Sequence, residues 1–168
     1  FALEEWNLTE RLTLSAGARM DHTRLSPAAG GNDRFDDSAR RSFTAGSFSL
    51  GGIYKLTPVW SLAANGAYTE RAPTFYELYA NGPHAATGQY LVGDQNLGKE
   101  RAWSGDLSLR YKDGTDHGSV GVFYSSFANY LAETNTGRYR NDDGDVVAAG
   151  DDGALPEARY QGVSARLY

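Results

Sequence analysis

The sequence predicts an all-β protein, an antiparallel up-and-down meander of about seven strands. Three observations lead there: apolar residues recur at every second position, tight and long connections alternate strictly, and large aromatics flank the tight connections. Period-two alternation is the pattern of a strand with one apolar face. No segment carries the period of a long helix.

The first strand is "FALEEWNL". In "RLTLSAGARMDHTR", Leu12, Leu14, Ala16, Ala18 and Met20 alternate with Arg11, Thr13, Ser15, Gly17, Arg19 and Asp21. The third strand, Ser42 to Leu56, is mixed. Phe48, Leu50, Tyr54 and Leu56 share a parity while Phe43 and Ile53 take the other, which calls for a bulge or a two-sided environment. Trp60, Leu62, Ala64 and Tyr68 mark the fourth. In "AWSGDLSLRY", Trp103, Leu107, Leu109 and Tyr111 alternate with Ser104, Asp106, Ser108 and Arg110. Val120, Val122 and Tyr124 mark the sixth strand, and Val163, Ala165 and Leu167 the last.

Tight connections fall near Thr9-Glu10, at "LTPVW" and at "KDGTDHG", where Asp113-Gly114 is a turn signal. Long ones run over Ser26–Arg40, Ala72–Gly98 and Ala132–Glu157. Loops beyond roughly 12–15 residues are uncommon in compact domains and tend to carry function. Placing every long loop at one end is the habit of an outer-membrane barrel, with short periplasmic turns, long outer loops and an apolar-out, polar-in dyad. Tyr54, Trp60 and Tyr111 lie where an interfacial girdle belongs.

Seven strands are too few to close around a water-filled channel. The expectation is therefore a segment of a larger transmembrane β-barrel, residues 1–168 being a partial barrel domain without plug or signal peptide. Its open sheet edges favour edge-to-edge self-association. Lumen-facing Arg19, Asp21, Asp106 and Arg110 would line the passage or brace a plug.

Composition excludes several classes. With no cysteine among 168 residues there is no disulfide framework, thiolate metal site or cysteine nucleophile. A formal charge of −5 with scattered Lys and Arg argues against nucleic acid. No apolar run approaches the roughly 18 residues of a membrane helix, which leaves strand crossing open. No G-x-S-x-G, phosphate loop or pocketed carboxylate pair is found, so neither an enzyme nor a catalytic cofactor is expected.

The stretch "TERAPTFYELYANGPHAATGQY" breaks the strand pattern. Pro73 removes a ladder donor and ends a strand. Thr74 to Ala80 can then form a helical turn presenting Phe75, Tyr76 and Tyr79, and Asn81-Gly82-Pro83 is a turn signal that stops it. His84 follows, at the foot of an outer loop. His22 sits beside Asp21 at the outer end of its strand, a candidate second metal ligand or simply a polar strand end. His117 falls in a short turn on the opposite side. Asp142, Asp143, Asp145, Asp151 and Asp152 lack the EF-hand spacing and read as a solvated loop that attracts cations.

Arg71-Ala72-Pro73, Glu77-Leu78-Tyr79, and Gly93-Asp94 with Asn96-Leu97 and Glu100 resemble the TonB-dependent outer-membrane receptors. "ALEEWNLTERLTLSAGARMDHTR" looks like a strand pair of the same family. Within it, "ELYANGPHAAT" most resembles the zinc-uptake, ZnuD-type branch, whose histidine after the Glu-Leu-Tyr turn is implicated in zinc capture. The resemblance implies a receptor in the bacterial outer membrane, surrounded by lipid and energised by the TonB system through a plug outside this chain. It implies a small metal cargo, first of all transported Zn²⁺, with cargo contacts at Phe75, Tyr76, Glu77, Tyr79 and His84. One imidazole is a fraction of a zinc site, which takes four ligands, so the rest would come from elsewhere. A siderophore or haem receptor would lean on the aromatics instead. From a different class, a soluble all-β binding module would use the long loops as a recognition surface.

Overall fold

A computed structural model describes residues 1–27 and 40–168. In chain order the elements are β1 (Ala2–Asn7), β2 (Leu12–Leu25), β3 (Arg41–Lys55), β4 (Trp60–Arg71), α1 (Phe75–Tyr79), β5 (Asn81–His84) and β6 (Gln89–Val92). Then follow β7 (Glu100–Asp113), β8 (Asp116–Arg140), β9 (Val146–Val147) and β10 (Leu155–Leu167). They form one sheet in the order β1-β2-β3-β4-β7-β8-β10-β6-β5, with β9 on β8. Every pair is antiparallel except β10 with β6. The seven expected strands are all there as the meander. The sheet has ten strands among the described residues, because the outer connections spend part of their own backbone on β5, β6 and β9.

Register turns the alternation of single strands into two continuous faces. Leu12, Tyr54, Leu62, Leu109 and Val120 are carried across β2, β3, β4, β7 and β8 in one row, and Leu14, Gly52, Ala64, Leu107 and Val122 in the next. On the opposite face the rows hold Ser15, Gly51, Asn65 and Asp106, and Arg19, Ser47 and Thr69. An apolar face and a polar face are what a barrel wall presents to lipid and lumen.

Two aromatic rows bound the apolar face. Beside the short turns Trp60 stacks on Tyr111 with centroids 5.0 Å apart. Toward the long loops Phe48, Tyr68 and Trp103 form a second cluster, with centroid separations of 5.4, 5.6 and 4.8 Å. Trp103 and Tyr111 are eight residues apart on β7, about 27 Å along the strand and about 20 Å once tilted by roughly 40°. That height suits the apolar band of an outer-membrane barrel, about 25 Å.

Several local expectations change. β3 has an unbroken register with β2 from Arg41 to Tyr54, so its mixed parity reflects two environments and no bulge. Phe43 is buried on the polar side against Leu78, Tyr79, Leu97 and Leu131. Asn81-Gly82-Pro83 is extended, in β5, and the chain reverses only over 85–88, with Gly88 at φ 64°. The helix stops because Ala80 leaves helical geometry and joins the sheet, where its carbonyl accepts from Gly93 at 2.8 Å. The predicted connection 132–157 is shorter than expected, since β8 continues to Arg140 and β10 starts at Leu155, each satisfying the other's backbone groups. Most of the connection 26–40 lies outside the described residues.

A bulge lies on β8 instead. Ala128 and Asn129 together face Ser164, Asn129 has φ 59°, and its amide donates to the carbonyl of Lys99 at 3.0 Å. Gly162 leaves room for that side chain, and a Cβ there would collide with it. Gly162→Ala is expected to cost roughly 1–3 kcal/mol by overpacking. Urea unfolding of the intact receptor in detergent would read this, and an unchanged midpoint would mean that Asn129 has another place to go.

Candidate functional site

The segment between β4 and β7 is built on a knot of charge. Pro73 ends β4, and Thr74 caps α1 in a reciprocal capping box with Glu77. The Thr74 amide donates to the Glu77 carboxylate at 2.6 Å, and the Glu77 amide donates to Thr74 Oγ1 at 3.4 Å. Arg71 reaches up from β4 and grips both oxygens of Glu77, at 3.0 and 3.1 Å, with one nitrogen also 3.2 Å from Glu100 at the start of β7. Glu100 in turn accepts the Leu131 amide at 3.0 Å. One arginine thus ties β4, α1, β7 and β8 together.

The Gly-Asp segment completes this clamp. A Cβ on Gly93 would lie 2.6–2.7 Å from backbone atoms of Leu78, Tyr79 and Ala80, so only glycine lets the chain press against the helix end. Asp94 donates its amide to the Glu77 carbonyl at 2.9 Å and accepts the Asn96 amide at 2.8 Å. That turn drops Leu97 into the cluster of Phe43, Leu78, Tyr79 and Leu131. Arg71 and Glu100 are paired on the polar face, so the clamp holds α1 over the lumen side. The hairpin of β5 and β6 continues past β7 and β8 to pair with β10 at Glu157–Arg159. The loop therefore crosses the inside of the mouth.

A second buried pair secures its far end. Glu157 takes a hydrogen bond from Arg140, which also bonds the Gly144 carbonyl and lies 5.7 Å over the Tyr90 ring. Sequence pattern missed this pair, whose members are joined only by the β8–β10 ladder.

Along the crossing loop a cleft of about 280 Å³ is lined by Phe75, Tyr76, Tyr79 and His84, with Pro27 and Leu91. Four of the five predicted cargo residues meet there. Glu77 does not, because its carboxylate belongs to the clamp. Tyr76 is 70% exposed, Phe75 packs on it edge to face, and the Tyr79 hydroxyl donates to the Leu25 carbonyl at 3.4 Å. His84 is exposed, with Nδ1 3.1 Å from Thr87 Oγ1.

His22 is elsewhere, on the outward face of β2. Its Nδ1 is 2.9 Å from Thr44 Oγ1 and its Nε2 accepts from Arg24 at 3.2 Å, leaving it beside a cation. Among the described residues no group of three or more His, Asp or Glu is arranged to hold a metal ion. Arg19 and Asp21 pair with each other at 2.6 Å, Asp106 accepts from Asn65 at 3.3 Å, and Arg110 donates to Ser108 at 3.3 Å, all on the polar face.

The family model "TonB dependent receptor-like, beta-barrel" matches residues 1–168. The chain belongs to this family. It is a family of transport receptors of the bacterial outer membrane. The receptor segment is 25% identical over 132 residues to the "Iron-regulated outer membrane virulence protein" of Vibrio cholerae serotype O1, a match covering 78% of this chain and 18% of that protein. It therefore spans under a fifth of that relative's length. It shares its fold with the siderophore receptor PirA from Pseudomonas aeruginosa, at TM-score 0.63 and 17% identity, over 98% of this chain and 28% of that one. The copper transporter OprC matches at TM-score 0.67 and 20% identity, over 96% and 23%.

The clamp sets a pH response. Burial pushes the Glu77 carboxyl up, but Arg71 and the Thr74 amide more than offset this and hold it below its ordinary 4.5. A carboxyl lowered on folding contributes stability that is complete above its unfolded pKa and lost as pH falls through the folded value. Exchange protection of the Leu78 and Ala80 amides in the intact receptor should hold from pH 7 to about 5 and fall below about 4. In Glu77→Gln that acid-side fall should flatten; the same fall in the variant would assign it to other carboxylates.

Proposed function

We propose that this segment forms part of the wall and outer mouth of a receptor that takes up a scarce metal as an organic chelate of the siderophore class. The observation that carries the reading is the aromatic cleft, held by the clamp on the lumen side of the mouth. Exposed rings such as Tyr76 and Phe75 offer flat, weakly hydrated surface to a chelator, while a bare cation would need several convergent donors. The name of the Vibrio cholerae relative, an iron-regulated outer membrane protein, supports the same direction.

In this reading residues 1–168 are a partial barrel domain. The plug that couples to TonB is supplied outside this chain, as are the strands that cover the edges at β1 and β10. Arg19, Asp21, Asp106 and Arg110 face the plug or the passage. Arg19 and Asp21 already neutralise each other in water-exposed positions, so they contribute little to wall stability and are free to re-pair with a neighbour.

Zinc is the second reading, and its support is His84 at the edge of the cleft together with the sequence resemblance around it. Its remaining ligands would come from outside the described residues. The two readings separate in one experiment on the intact receptor, titrated with a ferric tris-catecholate, a ferric trihydroxamate and Zn²⁺. Tyr76→Ala should weaken one of the ferric chelates about tenfold, or 1.4 kcal/mol, with His84→Ala nearly silent. Zinc binding that is lost in His84→Ala and kept in Tyr76→Ala would replace the chelate reading with the zinc one.

A further inference from the structure

We propose that the inner end of the lumen face, beside the short turns, binds an anionic metal chelate on its way to the periplasm, with Arg11, Lys55, Arg110 and Lys112 as its ligands. The proposal rests on the chelate reading above. Register places these four cations together. Lys55 on β3 is paired with Ser61 on β4, Ser61 with Arg110 on β7, and Arg110 with Ser119 on β8. Each is one residue away from the outward row of Tyr54, Leu62, Leu109 and Val120, so this row faces the lumen. At the β3 end the Lys55 amide donates to the Arg11 carbonyl at 2.8 Å, just past the Leu12–Tyr54 pair, which sets the two cations side by side. Lys112 is two residues beyond Arg110 on the same face of β7, opposite His117. Lys55 and Arg110 are two strand spacings or about 10 Å apart, and Lys112 is about 7 Å from Arg110 along the strand.

The wall itself does not neutralise them. Toward the outer mouth the same face pairs its cations, Arg19 with Asp21 and Arg71 with Glu77 and Glu100. Among the described residues none of the four inner cations is in an ion pair, and all four are exposed. Asp113 and Asp116, the carboxylates of the β7–β8 turn, pair with each other on the opposite parity. Glu10 lies in the β1–β2 turn. Glu5 and Asp106 are two rows nearer the mouth, where Asp106 accepts from Asn65. Like charges directly opposite each other on a sheet are destabilising, so Arg11 beside Lys55 is a cost to folding that an anion relieves.

Charge complementarity fixes the sign of the occupant, and the residues between the cations fix its kind. Ser61 and Ser119 present short hydroxyls in place of the apolar surface that a docked protein segment would bury. Cations spaced about 7–10 Å apart surround one solute that carries oxyanions on several sides. A ferric tris-catecholate is such a solute, with a multiple negative charge, whereas a ferric trihydroxamate is neutral. A wall lined with one sign of charge concentrates the opposite ion. The aromatic cleft at the mouth takes the ring faces of the chelate, and this row at the far end takes its charge.

The test uses cells that carry the intact receptor as their only route for chelated iron, supplied with each of the two ferric chelates. Surface binding and uptake are read separately. Wild type should take up the tris-catecholate, and Lys55→Gln with Arg110→Gln should slow its saturated uptake about fivefold or more. Surface affinity should stay within about twofold, because the cleft is at the other end of the wall. Lys55→Arg with Arg110→Lys, which keeps both charges, should retain most of the uptake. In the purified receptor Lys55→Gln alone should raise the urea midpoint by relieving Arg11. Undiminished uptake in the glutamine pair overturns the proposal. So does a lower midpoint in Lys55→Gln, which would assign the row to a carboxylate of the plug. Uptake of the trihydroxamate alone by wild type removes this site and leaves the chelate reading standing. Uptake of neither removes both.

Discussion

A chain that crosses hydrocarbon has nowhere to place an unpaired backbone N–H or C=O except on a neighbouring strand, because each unmet group costs several kcal/mol there. The rest of this structure follows from that demand. It sets the long unbroken registers of β2 with β3 and of β4 with β7, and it forces every reversal to one side or the other of the apolar band. It also allows irregular backbone only beyond the aromatic rows or against protein, and that is where α1, β5, β6 and the β8 bulge all lie.

Given a wall built this way, the outer segment between β4 and β7 has two faces on which to settle, lipid or lumen. The Arg71 clamp decides for the lumen. A buried charge is stable only when its partners are complete, and Glu77 collects a guanidinium and a backbone amide while Glu100 collects the same guanidinium and the Leu131 amide. Hydrophobic burial adds to this, since Leu78, Leu97 and Leu131 pack together with Tyr79 against Phe43 on the polar side of β3. The consequence for function is placement. Aromatic side chains that would be dispersed on a free loop are held in one cleft.

The lipid side carries its own electrostatic logic. Its outer aromatic row ends abruptly in Glu70, Lys99 and Arg101, so the transition from hydrocarbon to headgroup takes one outward step along β7. Toward the lumen, small and hydrogen-bonding residues such as Ser15, Ser47, Asn65 and Ser104 keep the surface level and wettable.

Much of this was readable from local pattern. Alternation identified the seven wall strands, Asp113-Gly114 a tight turn, and Pro73 with Thr74 the start of a helical turn, because each depends on residues close in the chain. The motif residues Arg71, Glu77, Gly93 and Glu100 were visible as a set, but their physical task was not. Gly93 matters only because the backbone of Leu78 to Ala80 is pressed against it. The parity conflict at Phe43, the parallel union of β6 with β10 and the Arg140–Glu157 pair were equally hidden. The sequence by itself determined which residues face lipid, since that follows from a period of two along one strand. Tertiary structure alone decided where the outer loop goes, since that depends on charges and surfaces that meet only when distant strands are side by side.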